Sequence, residues 1–152
     1  IVQLFYNPTI STTSQNFTFD KNESRHIIRV LRKSEGDILQ ITNGKGLLLK
    51  AEIAIASDKK CQVNILDYET VKKSWNYHLH IAIAPTKLND RMEWFLEKAT
   101  EIGIDEITPI ICHHSERKVI KPERFEKIVL SAMKQSLKFH LPKALQLRGR
   151  LA

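Results

Sequence analysis

Near residues 71–76 the hydrophobic grammar of this chain changes. Before that point, from about Asp37 to Glu69, short alternating runs are separated by turn signals: DILQIT, the turn Asn43-Gly44-Lys45-Gly46, LLLKAEIAIA, the polar break Ser57-Asp58-Lys59-Lys60, and CQVNILDYE. A period of two with glycine at the turns is the mark of antiparallel strands, because glycine supplies the positive φ that tight hairpins need. Phe17 and Phe19 flank Thr18 and add a strand, and LFY near the start is another candidate. After Lys72-Lys73 the order becomes strand, helix, strand, helix: HLHIAIAPT, Asp90 to Ile102, EITPIICHH, then about Pro122 to Phe139. That alternation signals parallel strands with crossover helices. The fold class is therefore mixed α+β and α/β, with a small antiparallel sheet or barrel over 1–72 and the start of an α/β domain over 73–152. Two strands and two helices make an incomplete sheet, since parallel sheets bury both faces. More chain is expected downstream, and the tail from about 144 to 152 has no clear pairing signal.

One helix interrupts the strand-rich half. Asp20 and Glu23 have capping-box spacing, and the helix is expected to run to about Arg32. Ile27, Val30 and Leu31 would be its buried side, while Arg25, Arg29 and Arg32 follow i, i+4, i+7 and form a basic stripe that Lys33 extends. Guanidinium forks in a row suit successive phosphates, and the same stripe suits a solvated helix face. In the second half, Asp90 and Glu93 form another capping pair, Met92, Phe95, Leu96, Ala99 and Ile102 share one side, and Gly103 stands just past the helix end. Phe125, Ile128, Val129 and Ala132 are the inward positions of the last helix.

The chain of 152 residues carries 24 Lys+Arg against 17 Asp+Glu, a formal charge of +7, which favours a polyanionic partner. Lys87, Arg91 and Glu93 lie where a strand gives way to a helix, the edge at which open α/β sheets bind ligands. The loop His113-His114-Ser115-Glu116-Arg117-Lys118 follows the next strand and should meet the Lys87 loop at that edge. Helix capping accounts for Asp90 and Glu93 without any ligand. Ser115 lacks a GxSxG elbow, adjacent histidines are poor zinc ligands, and His78 and His80 read as exposed or hydrogen-bonded strand residues. No GxGxxG or GxxxxGK[ST] loop is present to cradle a nucleotide, so no cofactor or metal site is expected in this chain. Cys61 and Cys112 read as reduced core residues, and no run reaches the roughly 18 apolar residues that span a bilayer. A cytoplasmic protein with no membrane partner is expected.

RHIIRVLRKSEGD (25–37), APTKLNDRMEWFLEKATEIGI (84–104), ITPIICHHSER (107–117) and the later AMKQSLKFHLP resemble the ribosomal RNA small subunit methyltransferase E family over about residues 3 to 142. The resemblance implies a PUA-like β-barrel for RNA recognition, followed by the first part of a SPOUT α/β domain whose trefoil knot is missing here. It implies S-adenosylmethionine as cofactor, held downstream by the family's GPEGG string, 16S rRNA in the small subunit as partner, a homodimer, and methylation of a uridine at N3. This chain alone would then be inactive and mainly supply RNA recognition. By motif, His26, Val30, Leu31 and Arg32 carry over from the first string, Lys87, Glu93, Lys98, Thr100, Glu101 and Gly103 from the second, and Ser115, Glu116 and Arg117 from the third. RNA contacts are expected from Arg25, His26, Arg29, Arg32, Lys33, Lys87, Arg91 and Arg117, with Glu93, Ser115 and Glu116 lining the site. Where family members often place an arginine before the first aromatic pair, this chain reads Gln3-Leu4-Phe5-Tyr6. The alternative is a stand-alone RNA-binding module without catalysis.

Overall fold

In the computed structural model, which describes residues 3–115 and 121–144, the chain divides into two compact units, Ile1–Lys72 and Lys73–Ala152. The first unit holds β1 (Leu4–Tyr6), β2 (Asn16–Thr18), helix α1 (Lys21–Arg25) running into a wider π-type turn (His26–Val30), β3 (Ile38–Thr42), β4 (Leu47–Ile55) and β5 (Gln62–Thr70). The strands form one sheet in the order β1-β3-β4-β5-β2. The β3–β4–β5 meander follows the alternation and turn glycines, as expected. β1 instead runs parallel to β3, with Phe5 opposite Ile41, so the sheet is not wholly antiparallel. Register shifts between Lys50 and Ala51 and between Ile53 and Ile55 increase the local twist, and β4 and β5 carry the sheet into a curl. Its inner face collects Phe5, Phe19, Ile27, Leu39, Ile41, Leu49, Ile53 and Val63. Each such side chain contributes about 1.5–3 kcal/mol by leaving water.

The α1 segment is clamped to this sheet by a buried serine. Asp20 caps the helix, accepting from the Glu23 amide at 2.8 Å as its spacing predicted. Ser24 Oγ donates to the Phe19 carbonyl at 3.1 Å and accepts from the Cys61 amide at 2.8 Å, tying helix, β2 exit and β5 entrance together. Ser24→Ala leaves a buried amide without its acceptor, and we expect a loss of about 1–3 kcal/mol in denaturant unfolding. A loss under about 0.5 kcal/mol, the lower end of what a typical hydrogen bond contributes, would show that the clamp is dispensable.

Two expectations for this segment need correction. The helix does not reach Arg32: the Leu31 amide bonds back to the His26 carbonyl, five residues away, and Arg32 turns to φ 54. Widening the turn rotates Val30 outward to 64% exposure, and Ile28 joins Ile27 and Leu31 against the core in its place.

The second unit holds β6 (His80–Ile83), α2 (Asn89–Ile102), β7 (Glu106–Pro109), α3 (Pro122–Gln135) and β8 (Lys143–Ala144). β6, β7 and β8 are all parallel. The two-strand expectation is thus short by β8, a two-residue strand with too little sequence to show a period. Both helices pack on one face of the sheet, through Met92, Leu96, Phe125 and Val129 against Ile81, Ile83 and Ile107. His80 and Ala82 alternate to the other face. Both histidines are exposed and hydrogen-bonded as expected, though only His80 lies in the strand and His78 comes just before it: His78 Nε2 lies 3.0 Å from Glu106 Oε2, and His80 Nε2 lies 2.6 Å from Thr108 Oγ1.

Three helix details differ from expectation. Helix α2 has no side-chain cap: Leu88 occupies the cap position in extended geometry, Asp90 lies inside the first turn, and Glu93 pairs across to Arg124 on α3. Ile102, in the last turn, is 75% exposed rather than buried. Helix α3 stops at Gln135, because Leu137 turns to φ 52, so it ends short of Phe139. Cys61 is fully buried, and burial pushes its thiol pKa up; Cys112 is only half-buried, since its loop leaves the sheet. The tail beyond residue 144 lies outside the described residues.

Candidate functional site

Each unit presents a surface with chemistry of its own. In the first unit, the α1–π segment carries Arg25 and Arg29, and Arg32 follows it, all three exposed, with half-buried Lys33 beside Arg32. A π-type turn and an arginine at positive φ fall within seven residues of each other, and such costly backbone features gather at functional sites. The arginines do not form one helical stripe, because Arg32 lies beyond the helix end. Arg29 is held by Asp58 of the β4–β5 loop: its Nε and Nη2 both donate to Oδ2, at 2.9 and 2.8 Å. The Arg29 guanidinium holds the Asp58 carboxyl below its usual pKa. Lys59 and Lys60, exposed in the same loop, follow directly. His26 Nε2 lies 3.3 Å from Nε2 of the Gln3 side chain, the residue at the N-terminal departure from the resembled pattern.

In the second unit, the C-terminal ends of β6 and β7 open into a cleft of about 590 Å³ lined by Ala84, Pro85, Thr86, Lys87, Cys112, His113, His114 and Ser115. Parallel strands release their loops at the same edge, so two segments separated in sequence by the whole of α2 and β7 meet there. The Thr86 hydroxyl donates to the Leu88 carbonyl at 2.8 Å and shapes the Lys87 turn. Across the cleft, Ser115 Oγ accepts from the Cys112 amide at 2.8 Å while its own amide returns to the Cys112 carbonyl at 3.1 Å. Ser115 therefore closes its loop, and its oxygen has a structural partner.

The structure brings Lys87 and Ser115 to one cleft. It does not bring Arg91 or Glu93 there: Arg91 is exposed on α2, and Glu93 lines a separate shallow pocket between α2 and α3 with Glu97, Ile128 and Gln135. Glu116 and Arg117 lie outside the described residues. The Lys98-Ala99-Thr100-Glu101-Ile102-Gly103 string builds the helix end. Thr100 Oγ1 donates to the Leu96 carbonyl at 2.7 Å, Lys98 pairs with Glu101 at 3.1 Å, and Gly103 caps the helix by donating to Ala99. Sequence reasoning missed Asp58 and Asp105. Asp58 sits in what reads as a polar break, with no local signal that its partner is 29 residues away. Among the described residues, no group of three His, Cys, Asp or Glu side chains is placed to hold a metal ion. No helix there is long and apolar enough to cross a membrane.

Comparison with known proteins gives two family matches: an RNA methyltransferase PUA domain over residues 19–66 and an RNA methyltransferase domain over residues 73–148. Ribosomal RNA small subunit methyltransferase E of Buchnera aphidicola is 33% identical over 135 residues, covering 84% of this chain and 53% of the relative. The crystal structure of a probable rRNA-methyltransferase from Porphyromonas gingivalis is 45% identical, with a TM-score of 0.88 over 97% of this chain and 61% of its own. Ribosomal RNA small subunit methyltransferase E from Neisseria gonorrhoeae, solved bound to S-adenosyl methionine, is 26% identical, with a TM-score of 0.84 over 98% of this chain and 62% of its own. This chain thus spans between 53% and 62% of the length of these three relatives.

Proposed function

This chain belongs to the RNA methyltransferase family that includes ribosomal RNA small subunit methyltransferase E, and from that membership we propose that the whole protein methylates N3 of a uridine in 16S rRNA, using S-adenosylmethionine. The observation that carries this reading is the succession of both family domains in one chain, each on its own compact unit. We assign the first unit, 1–72, to RNA recognition through a PUA-like sheet, and the second, 73–152, to the start of a SPOUT-type methyltransferase domain working as a homodimer in the cytoplasm.

The donor supplies an electrophilic methyl group when bound. Among the described residues, the cleft lining includes Lys87 and no carboxylate to offset a sulfonium charge, which does not favour the donor there. What these residues suit is RNA. Arg25, Arg29 and Arg32 offer guanidinium groups that grip backbone phosphates without reading sequence, and the target base is read after it leaves its stack. His26 and Lys33 flank that grip, while Lys87, Arg91 and Arg117 hold RNA beside the reaction or order its loops. Holding the RNA in register in this way supplies much of the rate of a group transfer, because the reacting atoms are aligned before the reaction begins.

The test is transfer of labelled methyl from S-adenosylmethionine to small-subunit rRNA by the whole protein. Incorporation supports the proposal. Retained rRNA binding without incorporation leaves an RNA-binding module and removes the enzyme. Replacing Arg25, Arg29 and Arg32 together with Ala is expected to lower the salt slope of rRNA binding by about 2 to 3, at roughly 0.7–0.9 per lost phosphate contact. An unchanged slope would remove the phosphate grip.

A further inference from the structure

We infer that the β4–β5 loop is the second half of the RNA-phosphate surface, with Lys59 and Lys60 contacting phosphate and Asp58 acting as a positioning residue that presents Arg29. The inference rests on the RNA-binding reading of the first unit and adds residues that none of the resembling motifs contains.

Three sets of contacts bring the loop against the arginine segment. At its far end, the Cys61 amide donates to Ser24 Oγ and the Phe19 amide to the Cys61 carbonyl, at 2.8 and 2.9 Å, so Lys60 leaves the core beside Arg25. At its near end, Asp58 holds Arg29. Between them, Ser57 Oγ accepts from the Lys59 and Lys60 amides at 3.2 and 3.3 Å, fixing the loop in a tight turn. Lys59 and Lys60 are both exposed. Two elements far apart in sequence therefore bring Arg25 and Arg29 next to Lys59 and Lys60, with Asp58 the acidic residue paired to Arg29.

The geometry of the pair shows what Asp58 does. A guanidinium has five N–H donors in a rigid fork. Asp58 takes two of them on one oxygen, from the Nε side, and the Arg29 side chain stays 69% exposed. Three donors remain for an incoming phosphate, on a side chain whose rotamers are already restricted. Ordering a long side chain before binding removes part of the entropy lost on association.

The experiment measures filter binding of transcribed small-subunit rRNA to the whole protein across a salt series. Lys59→Ala with Lys60→Ala is expected to lower the slope by about 1 to 2. Asp58→Ala separates positioning from simple charge. If Asp58 only repels RNA, its removal tightens binding; as a positioning residue, its removal weakens binding about twofold to tenfold. In an Arg29→Ala background that weakening should vanish, which a general structural role would not produce. The exposed pair contributes little to stability, so the melting temperature should hold. Failure of the unaltered chain to bind rRNA contradicts the RNA-binding reading itself. Normal binding by the unaltered chain, with an unchanged slope in the lysine variant or tighter binding in Asp58→Ala, overturns this inference and leaves that reading intact.

Discussion

Gly103→Ala is expected to destabilise the second unit by about 3 kcal/mol, through backbone strain and overpacking together. Gly103 ends α2 at φ 121, a conformation open to glycine and strained for any L side chain. A Cβ there would stand 2.8 Å from Trp75 Cε3 and 3.0 Å from Cδ2. The indole cannot easily give way, since its Nε1 donates to Asp105 Oδ2 at 3.2 Å, and the neighbouring Tyr77 hydroxyl donates to the Gly103 carbonyl at 2.8 Å. Adding Trp75→Leu should recover the part due to the clash and leave the part due to φ. Denaturant unfolding checks this, and a cost under about 1 kcal/mol for Gly103→Ala would show that the indole and the helix end rearrange freely.

Asp105→Ala is expected to cost the same unit about 2–3 kcal/mol, because one carboxylate collects the whole segment that leads into β6. Oδ1 accepts from Lys73 Nζ at 2.7 Å, and Oδ2 accepts from the Leu79 amide at 2.8 Å and from Trp75 Nε1 at 3.2 Å. Desolvation by burial works against the charge, yet these bonds, led by Lys73, hold the carboxyl at a pKa of about 2. A pKa depressed on folding means that the unfolded chain takes up the proton first. The contribution is therefore complete above the ordinary value of 3.8 and is lost as the pH falls through about 2. The acid limb of unfolding, followed for the unaltered chain and for Asp105→Asn, should be steeper in the former. Parallel limbs would show that the charge itself does not matter.

How much of this was legible in the sequence depends on how local each signal is. Asp20 capping Glu23, the Gly44 and Gly46 turns, and Gly103 at a helix end are decided within a few residues, and all stand in the structure where their spacing puts them. The Lys87 and Ser115 loops could be placed at one edge because parallel strands leave no other choice. What failed was decided across the fold. The i, i+3 spacing of Asp90 and Glu93 fits a cap, but Glu93 has a stronger partner in Arg124 on the following helix, and α2 starts at Asn89. The pattern of Ile27, Val30 and Leu31 assumes an ordinary α-helical turn, and a π-type turn moves Val30 out of that count. β1 pairs with β3 in parallel because of where the sheet lies in space, which three residues of sequence cannot encode. Asp58 and Asp105, which organise the arginine segment and the Lys73–Leu79 segment, are single carboxylates in polar stretches. Their partners lie on other elements of the fold, and no motif announces them.

Nucleoside analysis by mass spectrometry of small-subunit rRNA from cells with and without the gene for the whole protein decides whether it is a uridine-N3 methyltransferase. The expected outcome is loss of 3-methyluridine at one position, restored when the gene is returned. An unchanged 3-methyluridine content, with a different methylated nucleoside missing, would contradict it and move the enzyme to another base.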